Sequence, residues 1–442
     1  MALWRSTVIV SAMTMLSRVL GLVRDIVLLN VFGAGKDFDT FVVAFRIPNF
    51  FRRLFAEGAF SQAFIPVLTE YKTGRTHAEV QILISRVFGC LMTVMTALTF
   101  IAMVAAPAVL YIYAPGFHAD PEKFDLAVSM FRLTIPYLLF MSLTAFASSI
   151  LNSYGSFASP AFSPVLLNVA MIAGAWWLTP YMAEPIMALG WAVIAAGVLQ
   201  LAIQIPELWH KKLLIPPKVD FKHEGVDRIM KLMLPALFGV SVTQINLLLN
   251  TIWASFMQDG SVSWLYSAER MTELPLGLIG VAIGTVILPA LSTRHAEQDM
   301  SKFRGMMDWA AKVIVLVGVP ASIALFMLST PIIQALFQRG QFTIEDTQMT
   351  ALALQCMSAG VISFMLIKVF APGFYAQQDT KTPVRVGLMA VAANAILNVV
   401  FIGFFKLIDW QAEHMALALA SSGSALVNAG MLYFYLHKRD IF

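Results

Sequence analysis

Six arginines lie inside apolar segments of this sequence, where a positively charged side chain can bind an anion. They are Arg18, Arg24, Arg46, Arg52, Arg53 and Arg270. A charged side chain at the centre of a membrane helix costs roughly 2.5 to 3.5 kcal/mol on insertion scales, so a group of them requires water or an anionic ligand. A guanidinium group binds phosphate and carboxylate oxygens through paired hydrogen bonds. The arginines therefore predict an interior site for an anion, and several of them together suit a pyrophosphate.

The second apolar segment places charged residues on one helical face. Asp39, Arg46, Arg53 and Glu57 are spaced i, i+7, i+14 and i+18, which at about 100° per residue keeps them within roughly 40° of one another. Arg53 and Glu57 can partly neutralise each other as an i, i+4 pair, and Arg52 points to a different face. Two interpretations stay open: the hydrated wall of a cavity, or an ion-pair ladder that only joins helices.

The first apolar segment adds Arg18, Arg24 and Asp25. Arg24 and Asp25 can pair locally. Arg18 has no carboxylate three or four residues away, so we expect it to meet a ligand or a partner on another helix. Gly21 lies between the two arginines and could bend the segment.

The second half of the sequence carries fewer buried cations, Arg270 and Lys368. Arg270 stands in a cluster with Glu269 and Glu273, which we do not expect to face lipid. The anion site is therefore predicted to lie closer to the first half.

Apolar helices must position these charges. Hydrophobic residues make up 59% of the sequence and charged residues 13%, against roughly 25% charged in soluble domains, and the mean hydropathy is +0.75. Recurrent apolar stretches predict an all-α integral membrane protein with about twelve transmembrane helices. They are placed near 4–32, 38–71, 80–113, 123–155, 160–179, 184–209, 228–257, 262–293, 303–336, 346–377, 383–405 and 413–437.

The loops between these segments are unequal in charge. Loops on one side carry fifteen Lys and Arg residues, and loops on the other carry only Lys36, Lys123, Arg339 and Lys406. Cytoplasmic loops are the basic ones, so both termini are predicted to be cytoplasmic. The basic loops are explained by topology, and no motif indicates a nucleic-acid partner.

The sequence resembles itself at an offset of 223 to 224 residues. The stretch AFRIPNFFRRLFAEGAFSQAFIPVL at 44–68 resembles AERMTELPLGLIGVAIGTVILPAL at 268–291, and Pro160 corresponds to Pro383. The offset spans an even number of helices, so the copies are predicted to be parallel repeats. We expect two six-helix bundles, residues 1–215 and 216–442, around a central cavity, as in an alternating-access transporter. A duplicated scaffold or channel is the alternative.

Enzyme signatures such as a Walker A loop, HExxH or GxSxG are missing from the sequence. Neither a catalytic residue nor a cofactor is predicted, and transport would draw on the membrane potential or an ion gradient such as Na⁺. Asn246, Asn250, Asn394 and Asn398 could help to coordinate Na⁺, with hydrogen bonding between helices as the alternative.

Four long runs, at 17–35, 48–72, 260–292 and 368–384, resemble the MurJ (MviN) lipid II flippases of the multidrug/oligosaccharidyl-lipid/polysaccharide exporter superfamily. The resemblance covers essentially the whole sequence. It implies a flippase that moves lipid II, the undecaprenyl-pyrophosphate-linked peptidoglycan precursor, from the inner to the outer leaflet of the bacterial cytoplasmic membrane. Membrane lipids and cell-wall synthesis proteins are further candidate partners.

The resemblance also implies a set of substrate-binding residues. Its cavity arginines match Arg18, Arg24, Arg52 and Arg270, its acidic and polar positions match Asp25, Asp39, Glu57 and Ser263, and Arg53 adjoins a matched position. Family members usually continue for two further helices that help to form a groove for the lipid tail. This sequence stops at Phe442, which leaves the mode of tail binding open.

Two other functions are weighed against this one. An exporter of drugs or of another lipid-linked oligosaccharide in the same superfamily fits less well, because drug exporters have fewer buried arginines. A membrane enzyme acting on polyprenyl-pyrophosphates would need a metal-binding or phosphatase constellation, which the sequence does not show.

Overall fold

A computed structural model describes residues 2–54, 60–408 and 410–441. The described backbone forms helices joined by short turns and contains no strand. The chain divides into two compact units, Met1–Ser241 and Val242–Phe442. The division falls inside one long helix, whereas the predicted boundary lies between residues 215 and 216; that boundary and the cavity between two bundles stay predictions.

The first unit contains the helices of the amino-terminal half. They are α1 (Ala2–Phe32), α2 (Lys36–Leu54), α3 (Phe60–Gly74), α4 (His77–Val104), α5 (Ala106–Tyr113), α6 (Pro121–Thr134), α7 (Tyr137–Ser153), α8 (Ala158–Ala173), α9 (Met187–Ala202), α10 (Ile205–His210) and the greater part of α11 (Glu224–Ala254).

The second unit contains the end of α11 and the remaining helices. They are α12 (Ser261–Pro275), α13 (Val281–Ala296), α14 (Met300–Met327), α15 (Ser329–Phe337), α16 (Ile344–Ser358), α17 (Val361–Tyr375), α18 (Lys381–Leu407) and α19 (His414–His437).

Helix starts repeat at the offset that the sequence predicts. Helices α4 and α14 begin at residues 77 and 300, α6 and α16 at 121 and 344, and α8 and α18 at 158 and 381, so each pair is 223 residues apart. The caps correspond as well: Thr76 caps α4 where Asp299 caps α14. A side-chain oxygen at these positions satisfies backbone N–H groups of the first turn, which fixes where each helix starts.

Many of the helices are long and apolar enough to cross a membrane. Seven described spans meet that requirement, and the count rises to eight if α16 and α17, which are bent by 42°, are taken as one span. Each of the twelve predicted segments coincides with one helix or with consecutive helices. The predicted all-α membrane fold is therefore confirmed.

Close packing between helices of the first unit depends on small residues. A Cβ atom at Gly174 would lie 2.6 Å from Ala192 Cβ, and one at Gly197 would lie 2.9 Å from Phe140 Cβ. These contacts bring α9 against α7 and against the end of α8. Small residues allow such approaches in membranes, where association rests on van der Waals contact and not on the exclusion of water.

An extended segment after α10 lies along α4. Lys218 N donates to Ser85 O over 3.1 Å, and Ser85 Oγ donates to Pro216 O over 2.7 Å. A Cβ atom at Gly89 would lie 2.4 Å from the backbone of Lys218. Ser85 and Gly89 are one turn apart, so a single face of α4 holds this segment.

Candidate functional site

The charged residues of α1 form a buried pair. Arg24 and Asp25 are both buried, and Arg24 donates from Nε and Nη2 to Asp25 Oδ1 over 2.9 and 2.7 Å. The predicted local pair is confirmed. Pairing reduces the free-energy cost of placing either charge in a low-dielectric interior. The two hydrogen bonds also fix the orientation of the Arg24 guanidinium group. Arg18, further back on α1, is exposed.

Asn168 on α8 completes this cluster and was not predicted from the sequence. Arg24 Nη1 donates to Asn168 Oδ1 over 3.0 Å, and Asn168 Nδ2 donates to Ser17 O over 3.0 Å. Asn168 is buried. A lone amide in an apolar run is the sequence signal that could have indicated this contact. A buried amide needs hydrogen-bond partners, so such a residue is expected to meet a polar group on another helix.

Asp39 on α2 is buried against Lys123. Lys123 Nζ lies 3.6 Å from Asp39 Oδ2 and 4.2 Å from the centre of the Phe117 ring. The placement of Lys123 in a loop was wrong: Asp120 caps α6 and Pro121 begins it, so Lys123 falls within the first turn of that helix.

The rest of the predicted stripe on α2 is described in part. Arg46, seven residues after Asp39 on the predicted face, is buried. Arg52 is half-buried and donates from Nε to Asn49 Oδ1 over 2.9 Å. The Arg53 side chain and Glu57 lie outside the described residues, so their predicted pair stays a prediction.

Helix α12 carries the predicted site residues of the second unit. Ser263 is fully buried. Arg270 Nη1 donates to Glu273 Oε2 over 2.9 Å, Nη2 donates to Tyr266 OH over 3.3 Å, and the guanidinium carbon lies 5.0 Å from the centre of the Tyr266 ring. Arg270 is therefore oriented by its own helix, through neighbours three and four residues away.

Buried polar contacts anchor the start of α12. Trp264 Nε1 donates to Asp346 Oδ1 over 2.9 Å, and Asp346 also takes part in the capping box of α16. The His414 ring centre is 5.0 Å from that of Trp264, and His414 Nε2 donates to Met349 O over 2.9 Å. His414 is buried although it begins a helix, which sequence position did not indicate.

Three of the four asparagines considered as Na⁺ ligands form a network between helices. Asn398 Nδ2 donates to Asn250 Oδ1 over 3.2 Å and to Asn394 Oδ1 over 3.1 Å. Asn250 Nδ2 donates to Ser421 Oγ over 2.8 Å. Within the described part of the chain, Asn246 Oδ1 and Asn398 Oδ1 have no hydrogen-bond partner. Hydrogen bonding between helices is thus observed, and Na⁺ coordination stays a prediction.

Outside the membrane-spanning segments, one carboxylate has a strongly shifted pKa. Burial acts to raise the pKa of Asp379, but hydrogen bonds from Thr382 and the ion pair with Arg439 outweigh it and lower that pKa to about 2. Thr382 Oγ1 donates to Asp379 Oδ2 over 2.6 Å. These contacts tie the turn before α18 to the segment that follows α19.

Comparison with known proteins places this arrangement in a family. The family described as "Lipid II flippase MurJ" matches residues 28–442. A relative from Vibrio cholerae, named "Probable lipid II flippase MurJ", is 46% identical over 447 residues, covering 100% of this chain and 84% of the relative. "Lipid II flippase MurJ" of Burkholderia cenocepacia is 41% identical over 448 residues, covering 100% and 85%.

Solved structures show the same fold. A structure described as "Lipid II flippase MurJ, inward closed conformation" has a TM-score of 0.83 at 27% identity and covers 98% of this chain and 89% of its own. An inward-facing multidrug resistance MATE family transporter has a TM-score of 0.76 at 12% identity and covers 98% of this chain and 97% of its own; at that identity it shows the fold alone.

The prediction of a multi-pass membrane transporter, and not an enzyme, is confirmed. The match over nearly the whole sequence shows that the chain belongs to the lipid II flippase MurJ family.

Proposed function

We propose that this protein moves lipid II from the inner to the outer leaflet of the bacterial cytoplasmic membrane by alternating access. The observation that carries the proposal is the family match over residues 28–442. The charged residues give it a physical basis, because a buried, oriented guanidinium such as that of Arg24 suits a pyrophosphate group.

We propose that guanidinium groups such as those of Arg24 and Arg270 bind the pyrophosphate of lipid II. Charge-assisted hydrogen bonds from guanidinium to phosphate are roughly twice as strong as neutral ones. Arg24 is partly neutralised by Asp25 and Arg270 by Glu273. These pairs make the arginines tolerable in the protein before a ligand arrives, and a pyrophosphate can then share or replace the carboxylates. Arg18 and Arg52 supply further positive charge.

The membrane potential or Na⁺ is proposed to drive the transport. The potential is worth about 2.3 kcal/mol per charge per 100 mV, and a potential that is negative inside favours outward movement of an anionic headgroup. For Na⁺, the side-chain amide oxygens of Asn246 and Asn398 are ligands of the kind that bind hard cations. Lipid II flipping in vesicles, measured with an imposed potential and with Na⁺ present or replaced by K⁺, separates the two sources.

The proposed location is the bacterial cytoplasmic membrane, with both termini on the cytoplasmic side. The excess of Lys and Arg in one set of loops supports this orientation. Single cysteines introduced near residues 212 and 339, labelled by an impermeant reagent in intact cells, test it. Labelling at residue 212 but not at 339 would reverse the proposed topology.

The main experiment is depletion of this protein in its host, followed by an assay of lipid II at the outer face. An externally added enzyme that cleaves lipid II should lose access to its substrate within one depletion period, and expression of the wild-type chain should restore access. Arg24→Ala should not restore it. Arg132→Ala, which removes an exposed arginine of the same unit, is the matched control. Unchanged cleavage after depletion would reject the proposed function.

A further inference from the structure

The amide of Asn168 connects α8 to two places on α1. Its Oδ1 accepts from Arg24 Nη1 and its Nδ2 donates to Ser17 O, both over 3.0 Å. A Cβ atom at Gly21, midway between these points, would lie 3.9 Å from Asn168 Nδ2. One side chain therefore fixes two turns of α1 and closes over the glycine between them.

The contacts of Arg24 determine the orientation of its guanidinium plane. Asp25 Oδ1 accepts from Nε and from Nη2, and Asn168 accepts from Nη1. Each of the three guanidinium nitrogens thus has a fixed partner. A rigid, planar donor set can meet a phosphate at lower entropic cost than a mobile side chain.

The chemical type of residue 168 matters as much as its position. Asp25 already supplies a negative charge to Arg24. An amide oxygen at residue 168 orients the guanidinium without adding a second negative charge, so the positive charge available to an anion is retained. An aspartate would compete with the anion and would also lose the donor that meets Ser17 O.

We propose that Asn168 is the positioning residue that presents Arg24 to the pyrophosphate of the substrate. The proposal rests on the proposed function, since it assumes that Arg24 contacts the pyrophosphate of lipid II. Asn168 does not touch the substrate in this scheme. It acts through Arg24, and its effect should vanish when Arg24 is no longer an arginine.

A double-mutant cycle on purified full-length protein in nanodiscs tests this. Binding of lipid II and of undecaprenol, which lacks the pyrophosphate, is measured for wild type, Asn168→Ala, Arg24→Lys and the double variant. Asn168→Ala should weaken lipid II binding roughly tenfold in the wild-type background, equivalent to about 1.4 kcal/mol, and less than twofold in the Arg24→Lys background. Undecaprenol binding should not change. Coupled residues depart from additivity in this way.

Two further variants provide controls. Ser163→Ala removes a buried hydroxyl from the same helix and should bind lipid II as the wild type does. Asn168→Asp keeps the side-chain shape and should weaken lipid II binding more than Asn168→Ala, which preserves a test if the alanine variant does not fold. An equal loss from Asn168→Ala in both backgrounds, or wild-type binding by Asn168→Asp, would overturn the proposal. Equal affinity of the wild type for lipid II and undecaprenol would instead reject the proposed function.

Discussion

Lys123 Nζ lies 3.6 Å from Asp39 Oδ2, and the two side chains are 5% and 1% exposed. The pair joins the first turn of α6 to the first turn of α2. Removal of one member of a buried pair leaves an uncompensated charge, which typically costs about 3–5 kcal/mol. The pair therefore holds α2, which carries Arg46 and Arg52, in place against α6.

Lys123→Met should lower the stability of the purified protein strongly. The substitution removes a positive charge 3.6 Å from the buried Asp39 carboxyl group, whereas the double variant Lys123→Met/Asp39→Asn removes both charges and should recover most of the loss. Thermal unfolding in detergent measures the effect. Lys222→Met, at an exposed lysine, should change nothing. If the double variant were less stable than Lys123→Met, the pairing would not be the source of stability.

Gly89→Ala should destabilise the first unit. The added Cβ atom would lie 2.4 Å from the carbonyl of Lys218, a distance that only movement of the backbone can relieve. Gly305 lies in α14, and a Cβ atom added there would have no neighbour within 4 Å among the described residues. Gly305→Ala should therefore be neutral or slightly stabilising, because alanine favours the helix by about 0.5–1 kcal/mol. Similar unfolding temperatures for the two variants would contradict the packing described for α4.

Trp264→Phe should weaken α12 by removing its hydrogen bond to Asp346. A hydrogen bond to a charged group contributes about 1.5–3 kcal/mol, and the phenyl ring keeps most of the packing. The expected result is a lower unfolding temperature together with slower lipid II flipping, since α12 carries Ser263 and Arg270. Trp309→Phe, at an exposed tryptophan, serves as the comparison. An unaffected Trp264→Phe variant would show that the bond does not anchor the helix.

Arg24→Ala and Arg270→Ala should each fail to support growth of a flippase-depleted strain while remaining in the membrane. Each removes charge-assisted bonds that no neighbouring side chain replaces. Replacement by lysine should also fail at one or both positions, because lysine lacks the planar fork of donors. Growth is scored alongside protein abundance in membrane fractions. Normal growth of either alanine variant would remove that arginine from the proposed site.

Low pH should break the ion pair between Asp379 and Arg439. The pKa of Asp379 in the folded protein is about 2, below its ordinary value of 3.8, so the carboxylate stabilises the fold above about pH 4. That contribution is lost as the pH falls from about 4 towards 2. Asp379→Asn should cost about 1–2 kcal/mol at pH 7, after allowance for solvent screening. The difference from wild type should shrink near pH 2, as followed by chemical unfolding; a constant difference would disprove the linkage.

The sequence by itself determined the class, the helices and the repeat. Apolar runs of spanning length form helices whose backbone groups bond internally, and N-terminal caps such as Thr76 and Asp299 mark where helices start. Local contacts are also close to the sequence: Arg270 pairs with Glu273 three residues further along the same helix face, and Arg24 pairs with its immediate chain neighbour Asp25. The family resemblance likewise rests on continuous runs of sequence, at 17–35, 48–72, 260–292 and 368–384.

Only the tertiary structure decided which distant residues meet. Asn168 is 144 residues from Arg24, and Lys123 is 84 residues from Asp39 (123 minus 39). Helical periodicity assigns a residue to a face of its own helix but does not say which helix covers that face. The sequence therefore places Lys123 among the loop cations and indicates no role for Asn168. Packing of α6 against α2 and of α8 against α1 buried both, because a buried charge or amide persists only where another helix supplies its partner.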